Sequence, residues 1–531
     1  QTGWTAEMFI PWGVVSMPKQ AGARRIGLYM ERFVAYKDER WSWPALPDTV
    51  PQFISALQSV SVKDVQPKQQ YSIFPSASVT QDQIDGKTNY RAGADFFWRP
   101  STNLQLTATI NPDFGVAESD DVVINLSATE TFFPEKRLFF LEGQDVFTAS
   151  PRADTRGAGV GNRGAPYTLV NTRRIGGKPV LPVLGAGESA RTKDQIQPND
   201  LLGAVKVTGQ NGQIRYGVLA AFEDDPEFLV QGAQGARRVV GSGSEYGVAR
   251  ILFEDQPGGA YKSFGALSTM VLNESGDALV QSLDGHYLGE NGKFKADAQV
   301  FTSDKDGVDR GFGGFVDFEY AFRQGVTQRL GIEYFDDAVD VSDLGFLQRN
   351  DNFRIRQAHT RTRSDLSWAR SNQLDIRGYV QKNSEDLFTQ GGLFVSNQSV
   401  LNNLSQVVFR LDLLAASYDD LNSFGNGAYR VEARQMASIG WASNRSKPLS
   451  FGGKLGYQGE ELGGDSAVYS LYATWRPDDR LVLDLMFNYL DRAGWLLHSR
   501  DRTMSTFDAE QWAPGIGLEY FISAKQQLKF V

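Results

Sequence analysis

The 531-residue chain carries 63 acidic and 54 basic side chains, a net charge of −9, so it offers nucleic acid no bulk attraction. It contains no cysteine, which excludes a disulfide scaffold and a thiolate zinc site. No apolar run reaches the roughly 18 residues of a membrane helix, but membrane strands stay open because they hide apolar residues at every second position.

Residues 1–69 read as short strands broken by prolines, in "WTAEMFIPWGVV", "ARRIGLYMERFVAY" and "ERWSWPALP". They are expected to form part of a small periplasmic β-domain, with a linker near "VKDVQPKQQ". The opening "QTGWTAEMFIPWG" has no basic start, apolar stretch or cleavage site and reads like the middle of such a domain, as in a processed or incomplete precursor.

From about residue 70 onward, period-two alternation dominates in blocks of about ten residues. Leu104, Leu106, Ala108 and Ile110 alternate with Gln105, Thr107 and Thr109. Further on, Phe312, Val316, Phe318, Tyr320 and Phe322 share a parity, with Asp317 and Glu319 on the other. In a strand the two sets point to opposite faces, so one face is apolar and the other charged. Sandwich strands usually run five or six residues, whereas blocks of ten to twelve match a tilted membrane crossing. Residues 70–531 are therefore expected to form an all-β, transmembrane antiparallel barrel of about 18–22 strands.

The connections support this reading. Short turns recur at Asn211-Gly212, Pro257-Gly258-Gly259, Asn291-Gly292, Gln324-Gly325, Arg476-Pro477-Asp478-Asp479 and Ala524-Lys525. Longer polar loops are expected at 302–311, 336–351 and 490–506. Outer-membrane barrels have that asymmetry between rims. Phe97-Trp98, Trp441 and Trp475 sit near block ends, where a membrane–water boundary favours aromatic rings.

One stretch breaks the pattern. "FFPEKRLFFLEG" (132–143) crowds aromatics around three charges and a proline. Residues 112–165 are read as a lumen or plug segment whose aromatics pack on the inner wall. Glu135, Lys136 and Arg137 would pair with the charged wall, Glu142 and Asp145 would meet wall arginines, and Arg173 and Arg174 complete the lumen or gate candidates.

Asn111-Pro112-Asp113-Phe114, "ETFFPEKR" (130–137), "FFLEG" (139–143) and Arg173-Arg174-Ile175-Gly176 together resemble a family of poorly characterised outer-membrane barrels. These join a domain similar to carbohydrate-binding module family 9 to a C-terminal barrel. "GWTAEMFIPW" looks like the last part of that module. The resemblance implies a bacterial outer-membrane location and an oligo- or polysaccharide as solute or contact.

Catalytic signals are sparse. His286, His359 and His498 are the only histidines, and Ser499 beside His498 points away from it on a strand. Asp304, Asp306 and Asp309 are weak metal candidates without the full calcium-loop pattern, and Asp336, Asp337, Asp340 and Asp343 read as a solvated acidic loop. "GVGNRGAP" lacks the strand–loop–helix frame of a phosphate cradle. "RIRQAHTRTR" (354–363) suits a lumen wall or a lipopolysaccharide-facing rim. No cofactor is called for. Expected partners are outer-membrane lipid and lipopolysaccharide, a saccharide, other envelope proteins, and no nucleic acid. The leading expectation is a plugged or gated channel for a hydrophilic solute. Its rivals are a closed barrel anchoring a surface complex and, more weakly, a membrane-bound hydrolase.

Overall fold

The computed structural model describes residues 5, 7–10, 12, 22–34, 39–46, 57–63, 65, 69–83, 86–113, 123–153, 167–364, 366–523 and 525–530. Gly3, Trp4 and Pro11 of the opening stretch, Phe114, and the glycine-rich run at 159–166 lie outside them.

Among the described residues, 21 strands close into one barrel, within the expected range. The registered pairs are antiparallel and follow chain order, from Gln70–Asp82 through Lys87–Ser101 to Thr503–Ser523 and Gln526–Phe530. Alternation sorts the faces as the pattern requires. Thr109 and Gln299 are only 2% and 1% exposed on the inside, while Leu471 and Ile516 are 61% and 52% exposed on the outside. A closed barrel leaves no unpaired edge, and an outer face of this composition is stable only against hydrocarbon. The chain is an integral outer-membrane β-barrel.

The turns at Asn211-Gly212, 257–259, Asn291-Gly292, Gln324-Gly325 and 476–479 all lie on one rim. The connections at 224–244, 336–351 and 415–433 lie on the other. Two expected loops are strand instead. Residues 302–311 form a tight hairpin at Asp306-Gly307, and 490–506 belong to the long strands Leu481–Arg500 and Thr503–Ser523. Their polar outer positions hid the alternation, because hairpins that rise above the bilayer need no apolar face.

Trp98, Trp441 and Trp475 mark the outer face near the turn rim, with Trp441 and Trp475 well exposed. Phe97 departs from the expectation, since it shares the inward parity of Thr107 and lies under Arg99, 5.4 Å from its guanidinium carbon. Before the barrel, Arg24–Leu28 pairs with Gln58–Val62 and Met30–Val34 with Glu39–Trp43. Glu39 accepts a hydrogen bond of 3.2 Å from Arg370, at the turn-rim end of strand Ala369–Lys382.

Candidate functional site

Strands Leu104–Ile110 and Leu201–Asn211 are direct neighbours, with Ile110 opposite Gly203. The chain between them leaves the loop rim and folds into the lumen. Two single-turn helices, Leu138–Leu141 and Gln144–Phe147, are joined through Gly143 at φ 68°, a left-handed conformation suited to glycine. They bury Phe139, Phe140, Val146 and Phe147. At Gly217 on the wall, a Cβ would stand 2.8 Å from the Phe147 ring and 2.9 Å from Val146, so glycine there lets the second helix seat.

The inner wall under this plug is apolar rather than uniformly charged. Val248, Leu267, Val280, Phe301, Phe315 and Phe335 join the plug in one core. Tyr167 sits between the rings of Phe301, Phe315 and Phe335, at centroid distances of 5.9, 5.7 and 5.6 Å. Each such side chain contributes about 1.5–3 kcal/mol when fully buried, so the plug is held mainly by packing.

Glu135 and Arg137 of "FFPEKR" pair within the plug, where the expectation had them meet the charged wall. Arg137 donates from Nε and Nη2 to Glu135 at 2.9 and 2.8 Å, and from Nη1 and Nη2 to the carbonyls of Ile175 and Thr172 at 2.7 and 2.5 Å. The Thr172 hydroxyl donates to Glu135 at 2.7 Å, and Arg174 forks onto Glu130 with two 2.7 Å bonds. The two motif pieces "ETFFPEKR" and "TRRIG" thus fasten the plug to itself. Lys136 gives Glu135 its backbone N–H at 2.9 Å, and the Arg173 N–H meets Asn171 Oδ1 at 3.4 Å. Buried charges need pairing, and Glu135 and Arg137, two residues apart, supply it to one another.

Burial acts first on Glu135 and pushes its carboxyl up, but the hydrogen bonds and charge of Arg137 with the Thr172 hydroxyl outweigh it. The group is held below its ordinary value of 4.5. A depressed value means stability that is present above the ordinary carboxylate range and lost as pH falls through the folded-state value. Glu135→Gln is therefore expected to raise amide exchange in 132–147 and 172–176 at neutral pH, and the gap to wild type should close on acidification below about pH 4.5. Equal protection in both proteins at pH 7 would rule the fastening out.

Other candidates do meet the wall. Asp145 pairs with Arg215, Glu142 lies 3.5 Å from Arg99, and the Lys206 ammonium donates to the carbonyls of Phe139 and Glu142. Sequence reading missed two further contacts. Glu223 accepts from the Gly176 N–H at 2.7 Å and the Tyr246 hydroxyl at 3.0 Å. Arg152, at the far end of the plug, donates to Asp317 at 2.7 and 2.8 Å and to Glu333 at 2.5 Å, lying 3.9 Å over the Phe315 ring. On the wall side Arg356 reaches Asp317 at 3.2 Å and Arg354 reaches Glu333 at 3.3 Å.

The histidines sit on three different strands with separate partners. His286 is held between Asp284 (3.1 Å) and Asp297 (2.8 Å), His359 meets Gln328 (3.1 Å), and His498 meets the Asp501 carbonyl (2.8 Å). Asp304 pairs with Arg310 and Asp306 accepts from the Asp277 N–H at 3.0 Å; among the described residues no three metal-ligating side chains converge. Asp340 of the loop at 336–351 holds Lys305 at 2.9 Å. The segment 354–363 splits by parity. Arg354 and Arg356 face the lumen, whereas Arg361 and Arg363 share the outward parity of Ile355 near the turn rim.

Beside the plug, two cavities run along the wall. One of about 250 Å³ opens near the loop rim between Thr129, Arg349, Asp420 and Arg434. A second, of about 340 Å³, lies deeper against Arg152, Asp317, Arg329 and Arg377. Gln348, Arg354 and Gln390 line both. Across the lumen, the inward side chains of Arg410, Lys454 and Gln511 are exposed among the described residues.

A closed membrane barrel with an internal chain segment clamped inside it is a plugged outer-membrane barrel. Residues 68–531 match the family described as "Domain of unknown function (DUF5916)", and the chain belongs to that family. The carbohydrate-module likeness of the first residues is not part of that match. No curated sequence relative matches the chain. Similar solved structures include a variant of the ferric enterobactin receptor PfeA of Pseudomonas aeruginosa, 8% identical, covering 89% of this chain and 75% of that one, at a TM-score of 0.40. They also include the siderophore receptor PirA of Acinetobacter baumannii (7% identity, 88% and 77% coverage, TM-score 0.37). The ferric-catecholate import receptor Fiu of E. coli is another (9% identity, 96% and 81% coverage, TM-score 0.37).

Proposed function

We propose that this barrel is a gated channel that passes a small hydrophilic solute along the wall between the plug and strands Val326–Phe335 to Gln406–Leu414. The observation that carries the reading is the pair of cavities sharing Gln348, Arg354 and Gln390, which together form a polar path from the loop rim past Arg152. The plug is the gate, since its Pro151 and Arg152 form one side of the deeper cavity and Thr129 one side of the outer one. A static anchor is the second reading, favoured by the extent of the apolar core that the plug shares with the wall.

The chain's lack of cysteine permits a clean test. Thr168 and Phe346 form an antiparallel bridge, with N–H to carbonyl bonds of 3.0 and 2.7 Å in both directions. Such a hydrogen-bonded pair has Cα atoms about 5.5 Å apart, within disulfide reach. The double variant Thr168→Cys, Phe346→Cys should show opening steps in planar bilayers under dithiothreitol and lose them on oxidation. Silence in both states favours the anchor, and steps indifferent to oxidation remove the plug as the gate.

A further inference from the structure

We propose that the deeper lumen cavity is a binding site for a small organic anion bearing a carboxylate or phosphate group. This deepens the channel reading by naming the class of solute and rests on it for the route of entry. The chain as a whole is acidic, 63 carboxylates against 54 bases. Around the cavity the balance inverts. Arg152, Lys295, Arg329, Arg354, Arg356 and Arg377 face three carboxylates, Asp297, Asp317 and Glu319. Adding Glu333 and Asp375, which stand behind Arg354 and Arg377, still leaves the cations ahead. In a cleft with low-dielectric walls such an excess concentrates anions.

Hydrogen-bond accounting points the same way. Arg354 donates from Nε to Gln381 at 2.8 Å and its Nη1 lies 3.3 Å from Glu333; its Nη2 meets no acceptor among the described residues. Arg329 gives Nε to Glu319 at 2.8 Å, and neither of its Nη groups meets an acceptor among the described residues. A guanidinium carries five N–H donors in a fixed fork that matches the two oxygens of a carboxylate or phosphate. Part of both forks thus remains available in the cavity.

The site is also held in shape. The Arg354 guanidinium carbon lies 5.7 Å from the Tyr379 ring centroid, and Tyr379 stacks on Phe394 at 5.3 Å and 3°. A positioned fork loses less freedom on binding than a mobile one. Arg354 lines both cavities, so it stands where the outer one leads into the deeper one. The volume of about 340 Å³ lies at the small-molecule end of ligand pockets, room for one compact solute.

Isothermal titration of the full chain in detergent, with glucuronate, glycerol phosphate and neutral glucose as probes, tests this. Binding of either anion with none of glucose supports the site, and the stronger of the two names the head group. Arg354→Gln should weaken that binding at least tenfold and Arg354→Lys less so, with heat-modifiable gel mobility confirming a folded barrel in each. Absence of binding by both anions to the folded wild type, or equal binding of glucose, overturns the proposal. Conductance measured in parallel keeps the two readings apart. Current without anion binding removes only the site, and anion binding without current removes only the channel.

Discussion

Arg152→Met is expected to release the far end of the plug. In the native lumen this guanidinium, itself buried, ties the plug to Asp317 and Glu333 on two adjacent wall strands. Opposed forces set its behaviour. Burial draws its proton affinity down, while the hydrogen bonds and charge of Asp317, with Glu333, raise it above the ordinary arginine value, so it stays charged across the accessible pH range. Removing one member of a buried ion pair costs about 3–5 kcal/mol, because the partner charges stay desolvated. Here Arg354 and Arg356 remain near those carboxylates, at 3.3 and 3.2 Å, so the lower end applies. About 3 kcal/mol corresponds to roughly a hundredfold rise in the population of the released plug. Amide exchange is the direct measurement. Protection should fall in 144–153 and 167–175 and hold in strands such as Tyr261–Leu272. The double variant Arg152→Met, Asp317→Asn should lose less than the sum of the two single variants, since both substitutions remove the same pair of hydrogen bonds. Unchanged protection in the single variant would mean that packing alone holds the plug.

The barrel was readable because membrane crossing imposes one rule on every strand, with apolar positions out and polar positions in. Where that rule relaxes, reading failed. In the strand Ile214–Glu223, Val218 and Leu219 point opposite ways yet both are apolar, because one meets lipid and the other the plug core. Alternation carries no trace of such a docking surface. The same loss of contrast hid the polar hairpins at 302–311 and 490–506. Within the plug, composition located the segment but not its bonds. Glu135 and Arg137 are close enough in sequence to satisfy one another, and that local solution replaced the expected wall contact. Glu142 and Asp145 have no such neighbour and did reach wall arginines. Arg329, Arg354 and Arg377 meet only through register across neighbouring strands, information that no single segment holds.

Excising the plug should have the largest effect on transport. Because Leu104–Ile110 and Leu201–Asn211 are already paired, a short Gly/Ser turn replacing residues 113–198 can join them as an ordinary hairpin without disturbing the closure. The space the plug fills would then be open, and single-channel conductance is expected to rise several-fold over the wild type, without open–closed steps. Stability should move the other way. Val248, Leu267, Val280, Phe301, Phe315 and Phe335 would face water, forfeiting on the order of 1.5–3 kcal/mol for each side chain that was fully buried. The excised barrel should therefore melt well below the parent while still migrating as a folded barrel. A second variant replacing Phe301 and Phe315 with serine should recover some of that stability, since a wetted wall no longer gains from apolar side chains. Conductance equal to the parent's in a barrel shown to be folded would mean that the described plug leaves the existing path unobstructed, and the gate would have to be sought elsewhere in the lumen.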